Sequence, residues 1–279
     1  MLKKTLVSIF VLAMFVPNIS FAAPVATAHY QALLKQIEVL TKEVYRLQAI
    51  LAERQKDSTV FVPTTSEIQY KVVNGKLTRS VGAKPNPTHQ QLFDQLKSVI
   101  GSRAVDTYIT EYRVGYVRDA SLENYIEGYV KLIPEDDTWV LTLRRDGTEP
   151  LNNEERKLFN ELFVHEYAHV LAHYEAVFST TFTARFWNTV SYNASKRVNR
   201  LYEQNGYGAL EDALRGQEAS FISGYALLNP DEDIAETFVA FTKQDYPRGN
   251  TVLDAKIKFF YTNPTMVKER EQIRKNLGL

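Results

Sequence analysis

One short run of the chain, His165-Glu166-Tyr167-Ala168-His169, constrains its fold more than any other feature. Residues four apart are neighbours on one face of an α-helix. The run lies within the apolar segment Leu158–Tyr174, in which apolar residues and both histidines recur at helical spacing (Leu158, Leu162, His165, His169 and Ala172). The sequence therefore predicts an amphipathic helix whose apolar face also carries the two imidazoles.

The residues before this run indicate where the helix begins and what it can bind. Asn152 or Asn153 can cap the helix, and Glu154 and Glu155 suit its positive first turn. On such a helix the two imidazoles can bind one zinc ion, while Glu166 lies beside the metal-bound water. The alternative is a buried amphipathic helix that carries two histidines by chance.

A catalytic zinc site takes three protein ligands and keeps one position for water. The chain has no cysteine, so the third ligand must be His, Asp or Glu. Geometry disfavours His173, because eight residues separate it from His165, or roughly 12 Å along the helix axis. We expect His173 to face the cleft or to pack. His29 and His89 are poor candidates because they lie in weakly structured N-terminal sequence.

A better candidate for the third ligand lies downstream, where Asn229-Pro230 is typical of a helix start. Glu232 and Glu236 are then four residues apart on one helical face. We predict that Glu232 binds zinc and that Glu236 accepts the free N–H of a ligand histidine. However, Glu232 also stands where a capping-box glutamate belongs, and acids favour a helix N-terminus without any metal. Local chemistry leaves both interpretations open.

Taken together, the H-E-x-x-H helix and the following Tyr-x6-Glu-x3-Glu pattern resemble the gluzincin zinc metallopeptidases related to anthrax lethal factor and the bacterial Pro-Pro endopeptidases. The resemblance covers about residues 159–241. It implies a zincin-like catalytic domain in which Glu232 is the third zinc ligand, Glu236 supports a ligand histidine and Tyr225 stabilises the oxyanion. The stretch between His169 and Glu232 is longer than expected for this group, which implies an inserted helical segment.

The N-terminus has the pattern of a secretory signal peptide, predicted here as residues 1–22. Lys3 and Lys4 precede the apolar run Leu6–Val16, and Ser20-Phe21-Ala22 fits a cleavage site. This run is shorter than the roughly 20 residues that span a membrane. We therefore expect a secreted, periplasmic or cell-envelope protein, which contacts the membrane only if the signal stays uncleaved.

Residues 23–57 are predicted to form a coiled-coil helix. Apolar residues alternate in steps of four and three between polar ones, which is a heptad seam (Leu33, Ile37, Leu40, Val44, Leu47 and Leu51). A short coil needs a partner helix, so the seam Leu33–Leu51 predicts a homo-oligomer. The alternative is one amphipathic helix that lies on the catalytic domain.

The pattern of the remaining residues, 58–279, predicts an α+β fold. Residues 58–90 form a linker and a β-hairpin, indicated by Asn74-Gly75 between two strand-like runs. Residues 91–279 form the predicted zinc metallopeptidase domain, with a small sheet before the zinc helix and helices after it. Strands are predicted at 108–117, 125–132 and 138–143, and later helices at 183–204, 209–215, 230–243, 252–261 and 264–276.

The function expected from these features is that of a secreted zinc-dependent endopeptidase with Glu166 as general base. The 33 basic and 33 acidic residues balance, so nothing indicates a nucleic-acid partner. The expected partner is a peptide or protein substrate. Two alternatives stay open, namely a zinc hydrolase of a non-protein substrate and a non-catalytic coiled-coil binding protein with a vestigial zinc site.

Overall fold

A computed structural model describes residues 64–79, 85–117, 126–146, 151–187, 192–205 and 208–279. Every described residue belongs to one compact unit of the chain. The predicted signal peptide and coiled-coil helix lie outside the described residues and stay predictions. Among the described helices, none is long and apolar enough to cross a membrane.

The described residues form a mixed five-stranded sheet in the order β2-β1-β3-β5-β4. Strands β3 and β5 run parallel to each other, and the other neighbours are antiparallel. Strand β4 is therefore an edge of the sheet. The strands are β1 (Thr64–Val73), β2 (Lys76–Arg79), β3 (Ile109–Val117), β4 (Ile126–Ile133) and β5 (Thr138–Asp146).

Helices lie between the strands of this sheet in the chain and follow it, which confirms the α+β class. The helices are α1 (Pro87–Ile100), α2 (Ser102–Tyr108), α3 (Asn153–Tyr174), α4 (Ala176–Phe186), α5 (Tyr192–Asn205), α6 (Gly208–Leu214), α7 (Pro230–Lys243), α8 (Val252–Phe260) and α9 (Pro264–Leu277). A short 3-10 helix, Tyr225–Leu227, lies just before α7.

The predicted hairpin is present at Asn74-Gly75, where both residues have positive φ angles of 50° and 64°. The positive φ of Gly75 favours glycine, because other residues adopt this conformation only with strain. Strand β1 of the hairpin pairs with β3 as well as with β2. The hairpin is therefore part of the same sheet that lies beside the candidate site.

The helix that carries the histidines, α3, begins as predicted. Asn152 caps it, and Glu155 returns to the Asn152 backbone to complete a capping box. The expectation that Leu158 belongs to a buried face is wrong, because it is 50% exposed. Phe159 and Phe163 are buried instead. The helix contacts α1, β4 and α7, and nearly all of residues 163–172 are buried, so the helix is enclosed on several sides rather than along a single stripe.

The predicted helix at residues 183–204 is also wrong in its boundaries. Helix α4 starts directly after α3 and ends at Phe186, and α5 is a separate helix. The reason is tertiary: Trp187, at the end of α4, is held by a hydrogen bond from its indole Nε1 to Asp233 Oδ2 of α7 at 2.8 Å. The end of α4 is therefore held in place by its hydrogen bond to α7.

Aromatic packing fixes α7 among its neighbours. Phe238 of α7 contacts Phe241 and Phe260, and Phe260 contacts Phe178 and Phe182 of α4. All but Phe178, which is 6% exposed, are completely buried, and burial of each such side chain contributes about 1.5–3 kcal/mol. This aromatic core holds the helix that presents the predicted third ligand.

Candidate metal centre

Helices α3 and α7 bring the three predicted ligands together. The Nε2 atoms of His165 and His169 are 3.2 Å apart. The Oε2 atom of Glu232 lies 3.2 Å from the first and 3.3 Å from the second. These three atoms form a nearly equilateral triangle, and within the described residues they are the one group of three or more His, Asp or Glu side chains spaced to hold a metal ion.

The size of this triangle fits zinc. Ligand atoms about 2.0–2.1 Å from a tetrahedral zinc ion are roughly 3.3 Å from one another. The Oε2 atom of Glu232 is also buried and accepts no hydrogen bond, although it lies close to both imidazoles. A buried carboxylate oxygen is costly without a donor or a cation. Two imidazoles and one carboxylate are moreover a common ligand set of catalytic zinc sites.

The start of α7 explains why Glu232 faces the imidazoles. The Asn229 side chain accepts hydrogen bonds from the backbone N–H groups of Asp231 and Glu232, each at 2.9 Å, and Pro230 follows the cap. The cap is thus satisfied by Asn229. The Glu232 carboxylate lies against the two imidazoles, in contrast to Glu155 of α3, which returns to its cap residue.

Glu236 lies one turn further along α7 and orients the first histidine. Its Oε1 atom is 2.7 Å from His165 Nδ1. If the Nδ1–H group donates to this carboxylate, the Nε2 lone pair is left for a metal. Ser223 also hydrogen-bonds the Glu236 carboxylate. The predicted supporting role of Glu236 therefore has the required geometry, with Ser223 as a further partner that the sequence analysis missed.

Glu166 is buried between α3 and the edge strand β4. The Val130 backbone of β4 hydrogen-bonds its carboxylate. This close approach of helix and strand needs Gly128, since a Cβ atom there would lie 2.9 Å from Leu162 of α3. Burial raises the pKa of Glu166 above its usual range, against the opposing effect of the positive charges on His165 and His169.

Tyr225 lies beside His165, although sixty residues separate the two in the chain. Its ring centroid is 5.8 Å from that of His165, and Tyr202 of α5 contacts it edge-on at 6.4 Å. Gly224 permits this placement, because a Cβ atom there would lie 2.1 Å from the Leu210 carbonyl oxygen of α6. The segment before α7 thus brings a phenol next to the ligand triangle.

The two other described histidines lie outside the ligand triangle. His173 Nε2 is 3.2 Å from Asp137 Oδ1 in the turn between β4 and β5, and its ring packs edge-on against Trp139 at 5.3 Å. His173 therefore joins the end of α3 to the edge hairpin. His89 is completely buried, and its Nδ1 atom lies 2.8 Å from the Tyr70 hydroxyl.

Sequence analysis also missed a buried charge behind the site. Lys256 of α8 and Asp233 of α7 are both completely buried and form an ion pair. A pattern was available for Lys256, which stands four residues before the buried Phe260 and thus on the same face of α8. A charge on an apolar face indicates a buried partner.

The neighbouring carboxylates favour protonated histidines in the metal-free site. Burial tends to lower the pKa of His165, but the closeness of the Glu232 and Glu236 carboxylates outweighs it and raises that pKa to about 10. The pKa of His169 is also raised, since the attraction of Glu232 outweighs burial. Both histidines conversely lower the pKa of Glu232, despite its burial.

Zinc binding is therefore expected to release protons. A metal ion must displace the proton on His165 Nε2, so we expect release of about one proton per zinc near pH 7. The apparent affinity should rise as the pH increases towards 10, the region in which His165 loses its proton unaided. Isothermal titration in buffers of different ionisation enthalpy measures the release. A buffer-independent heat and a flat affinity between pH 7 and 9 would contradict it.

Comparison with known proteins assigns neither a family nor a function, since no family model, curated protein or solved structure matches the chain. The function proposed below therefore depends on the geometry of the site and on the sequence pattern.

Proposed function

We propose that this protein is a zinc-dependent endopeptidase of the gluzincin type, with a zincin-like catalytic domain and one zinc ion per chain. The observation that carries the proposal is the triangle of His165, His169 and Glu232 donor atoms, 3.2–3.3 Å on each side, with Glu166 buried between the two histidines in sequence. Donor atoms from two helices thus have the spacing that a tetrahedral metal requires.

Each residue then has a defined task. Zinc bound there would supply Lewis-acid activation of a water molecule and of a substrate carbonyl. Glu166 takes the proton of that water and delivers it to the leaving amine, a transfer favoured by a pKa that burial has raised. Glu236 holds His165 in the tautomer that leaves Nε2 free. Tyr225 donates a hydrogen bond to the developing oxyanion.

The edge of the sheet supports a peptide as the substrate. Strand β4 pairs with β5 on one side, and no strand in the described ranges pairs with its other side. The same strand hydrogen-bonds Glu166 through Val130. An extended peptide could therefore add to the sheet at this edge, with its carbonyl groups close to the site. This arrangement favours a peptide over a non-protein substrate.

The first experiment measures zinc and peptide hydrolysis together. We expect purified protein to contain about one zinc ion per chain and to cleave members of a diverse peptide library. His169→Ala should lose most of the zinc and all cleavage. Cleavage without zinc dependence would refute the proposal. Zinc binding without cleavage of any peptide would instead favour the non-protein substrate or the vestigial site.

Removal of the Tyr225 hydroxyl tests its proposed role. We expect Tyr225→Phe to lower kcat on the order of 10²-fold while KM changes little, because the hydrogen bond forms only in the transition state. Zinc content and thermal stability should stay close to wild type, since the ring that contacts His165 remains. Tyr202→Phe, on the neighbouring ring, is a matched control. An unchanged kcat would make Tyr225 a packing residue.

The N-terminal features complete the proposal. Residues 1–22 would direct the protein out of the cytoplasm to act as a secreted or cell-envelope enzyme, and residues 23–57 would join copies through the Leu33–Leu51 seam. Mass spectrometry of the exported protein would locate the cleavage site. Sedimentation of the full mature chain would measure its oligomeric state.

A further inference from the structure

A buried ion pair joins α7, a helix of the candidate metal centre, to α8. Lys256 Nζ is 2.6 Å from Asp233 Oδ2, and both side chains are completely buried. Asp233 directly follows the proposed ligand Glu232 in α7. Neither residue touches the ligand triangle or has a task in the mechanism above.

The hydrogen bonds of this pair join four segments. Asp233 Oδ2 also accepts from Trp187 at the end of α4, at 2.8 Å, and Asp233 Oδ1 accepts from Thr237 at 3.2 Å. Lys256 donates to the Ser220 carbonyl oxygen at 2.7 Å. Its ammonium group also lies 3.7 Å from the centroid of the Phe221 ring. The pair therefore links α4, α7 and α8 to the segment at residues 220–221.

Both ends of this network lead to proposed functional residues. On one side, Asp233 belongs to the first turn of α7, so its contacts fix the orientation of the turn that presents Glu232. On the other side, Ser220 begins the segment that carries Tyr225. Ser223, within that segment, bonds Glu236 of α7 and accepts from the Ala226 backbone N–H. Lys256 thus ties the Tyr225 segment to the ligand helix.

Stability does not by itself account for such a pair. Removal of two charges from water is unfavourable, and well-packed apolar residues often replace a buried pair without loss of stability. The charges do specify one arrangement of the elements that carry them, because a shifted α7 or α8 would leave a buried charge without its partner.

We propose that the Asp233–Lys256 pair is a positioning device, which sets the distance and orientation between Glu232 on α7 and the segment that carries Tyr225. The residues touch neither metal nor substrate and act through the backbone of these two segments. The inference depends on the proposed zinc site, because it concerns the placement of a zinc ligand and of an oxyanion donor.

The test separates positioning from stability with three variants of the full chain. Lys256→Met leaves Asp233 as a buried charge without its cation, so it should lower both the thermal midpoint and zinc affinity. Asp233→Asn/Lys256→Met leaves no unpaired charge and should recover most of the thermal midpoint. Val105→Ala, a buried residue of α2 that is not part of the network, is the control for general destabilisation.

The decisive comparison is between zinc affinity and thermal stability. We expect the double variant to bind zinc about tenfold more weakly than wild type, the usual effect of lost support around a ligand, and to show a lower kcat. Val105→Ala should lose stability but keep wild-type zinc affinity. A chelator competition measures affinity without any substrate, so wild type that binds no zinc refutes the proposed function instead.

The inference is overturned if the double variant recovers zinc affinity and kcat together with the thermal midpoint. In that case the pair contributes to stability only. Because the double variant has no unpaired buried charge, we expect it to fold even if Lys256→Met does not, and its affinity then decides the question.

Discussion

Glu166→Gln is expected to retain zinc and the fold but to lose nearly all peptide hydrolysis. Glutamine is close to glutamate in shape and can keep the contact with the β4 backbone, but it cannot accept a proton from water. Loss of a general base typically costs 10²–10⁴-fold in rate. We expect a decrease in kcat within this range, measured with a cleaved peptide in parallel with elemental analysis of zinc.

A matched control lies on the same helix. Glu161 forms an exposed ion pair with Lys243 at 2.8 Å and has no contact with the ligand triangle. Glu161→Gln should therefore hydrolyse peptides at the wild-type rate. Equal rates for Glu166→Gln and wild type would rule out Glu166 as the base. If Glu166→Gln also lost its zinc, the residue would instead support the metal site.

Glu232→Ala is expected to remove zinc or weaken its binding far more than any neighbouring change. The substitution deletes one corner of the ligand triangle and leaves two imidazoles, which hold zinc poorly without a third protein ligand. Glu236→Ala should have an intermediate effect, about 10–100-fold in affinity or activity, because it removes only the partner of His165. Chelator competition on the purified variants measures both losses.

His173→Ala provides the control for this series. It removes a histidine of the same helix, but one that contacts Asp137 and Trp139 rather than the triangle. We expect it to retain wild-type zinc affinity. Full zinc affinity in Glu232→Ala would leave this glutamate as a residue that merely favours a helix N-terminus, and a strong loss in His173→Ala would place the metal elsewhere on α3.

The features that sequence predicted well are local ones. Asn152 and Glu155 form a capping box within four residues, and Asn229-Pro230 starts α7 at the predicted residue. The Asn-Gly turn likewise closes the hairpin as expected. In each case a short-range hydrogen bond or a fixed backbone angle determines the structure, so neighbours in the chain are sufficient to predict it.

The prediction failed where packing against distant residues decides the outcome. Leu158 has helical spacing for the buried face but is 50% exposed, whereas its neighbour Phe159 is completely buried. The break between α4 and α5 follows Trp187, whose indole bonds a residue of α7. Hydrophobic periodicity reports which face is apolar, but not where the neighbouring elements begin and end.

The sequence by itself determined which residues carry the candidate chemistry. The spacing of His165 and His169 places two imidazoles on one helical face, and the absence of cysteine restricts the third ligand to His, Asp or Glu. Helical geometry then disfavours His173. The conclusions about the histidines need only the rise and pitch of an α-helix, which are the same in every protein.

Only the tertiary structure decided that Glu232 meets the two histidines. More than sixty residues separate Glu232 from the two histidines in the chain. From the sequence alone, its carboxylate could equally have capped its own helix. Packing of α7 against α3, α4 and α8 places the donor atoms 3.2–3.3 Å apart. That distance depends on packing between residues far apart in the chain, so no short stretch of sequence predicts it.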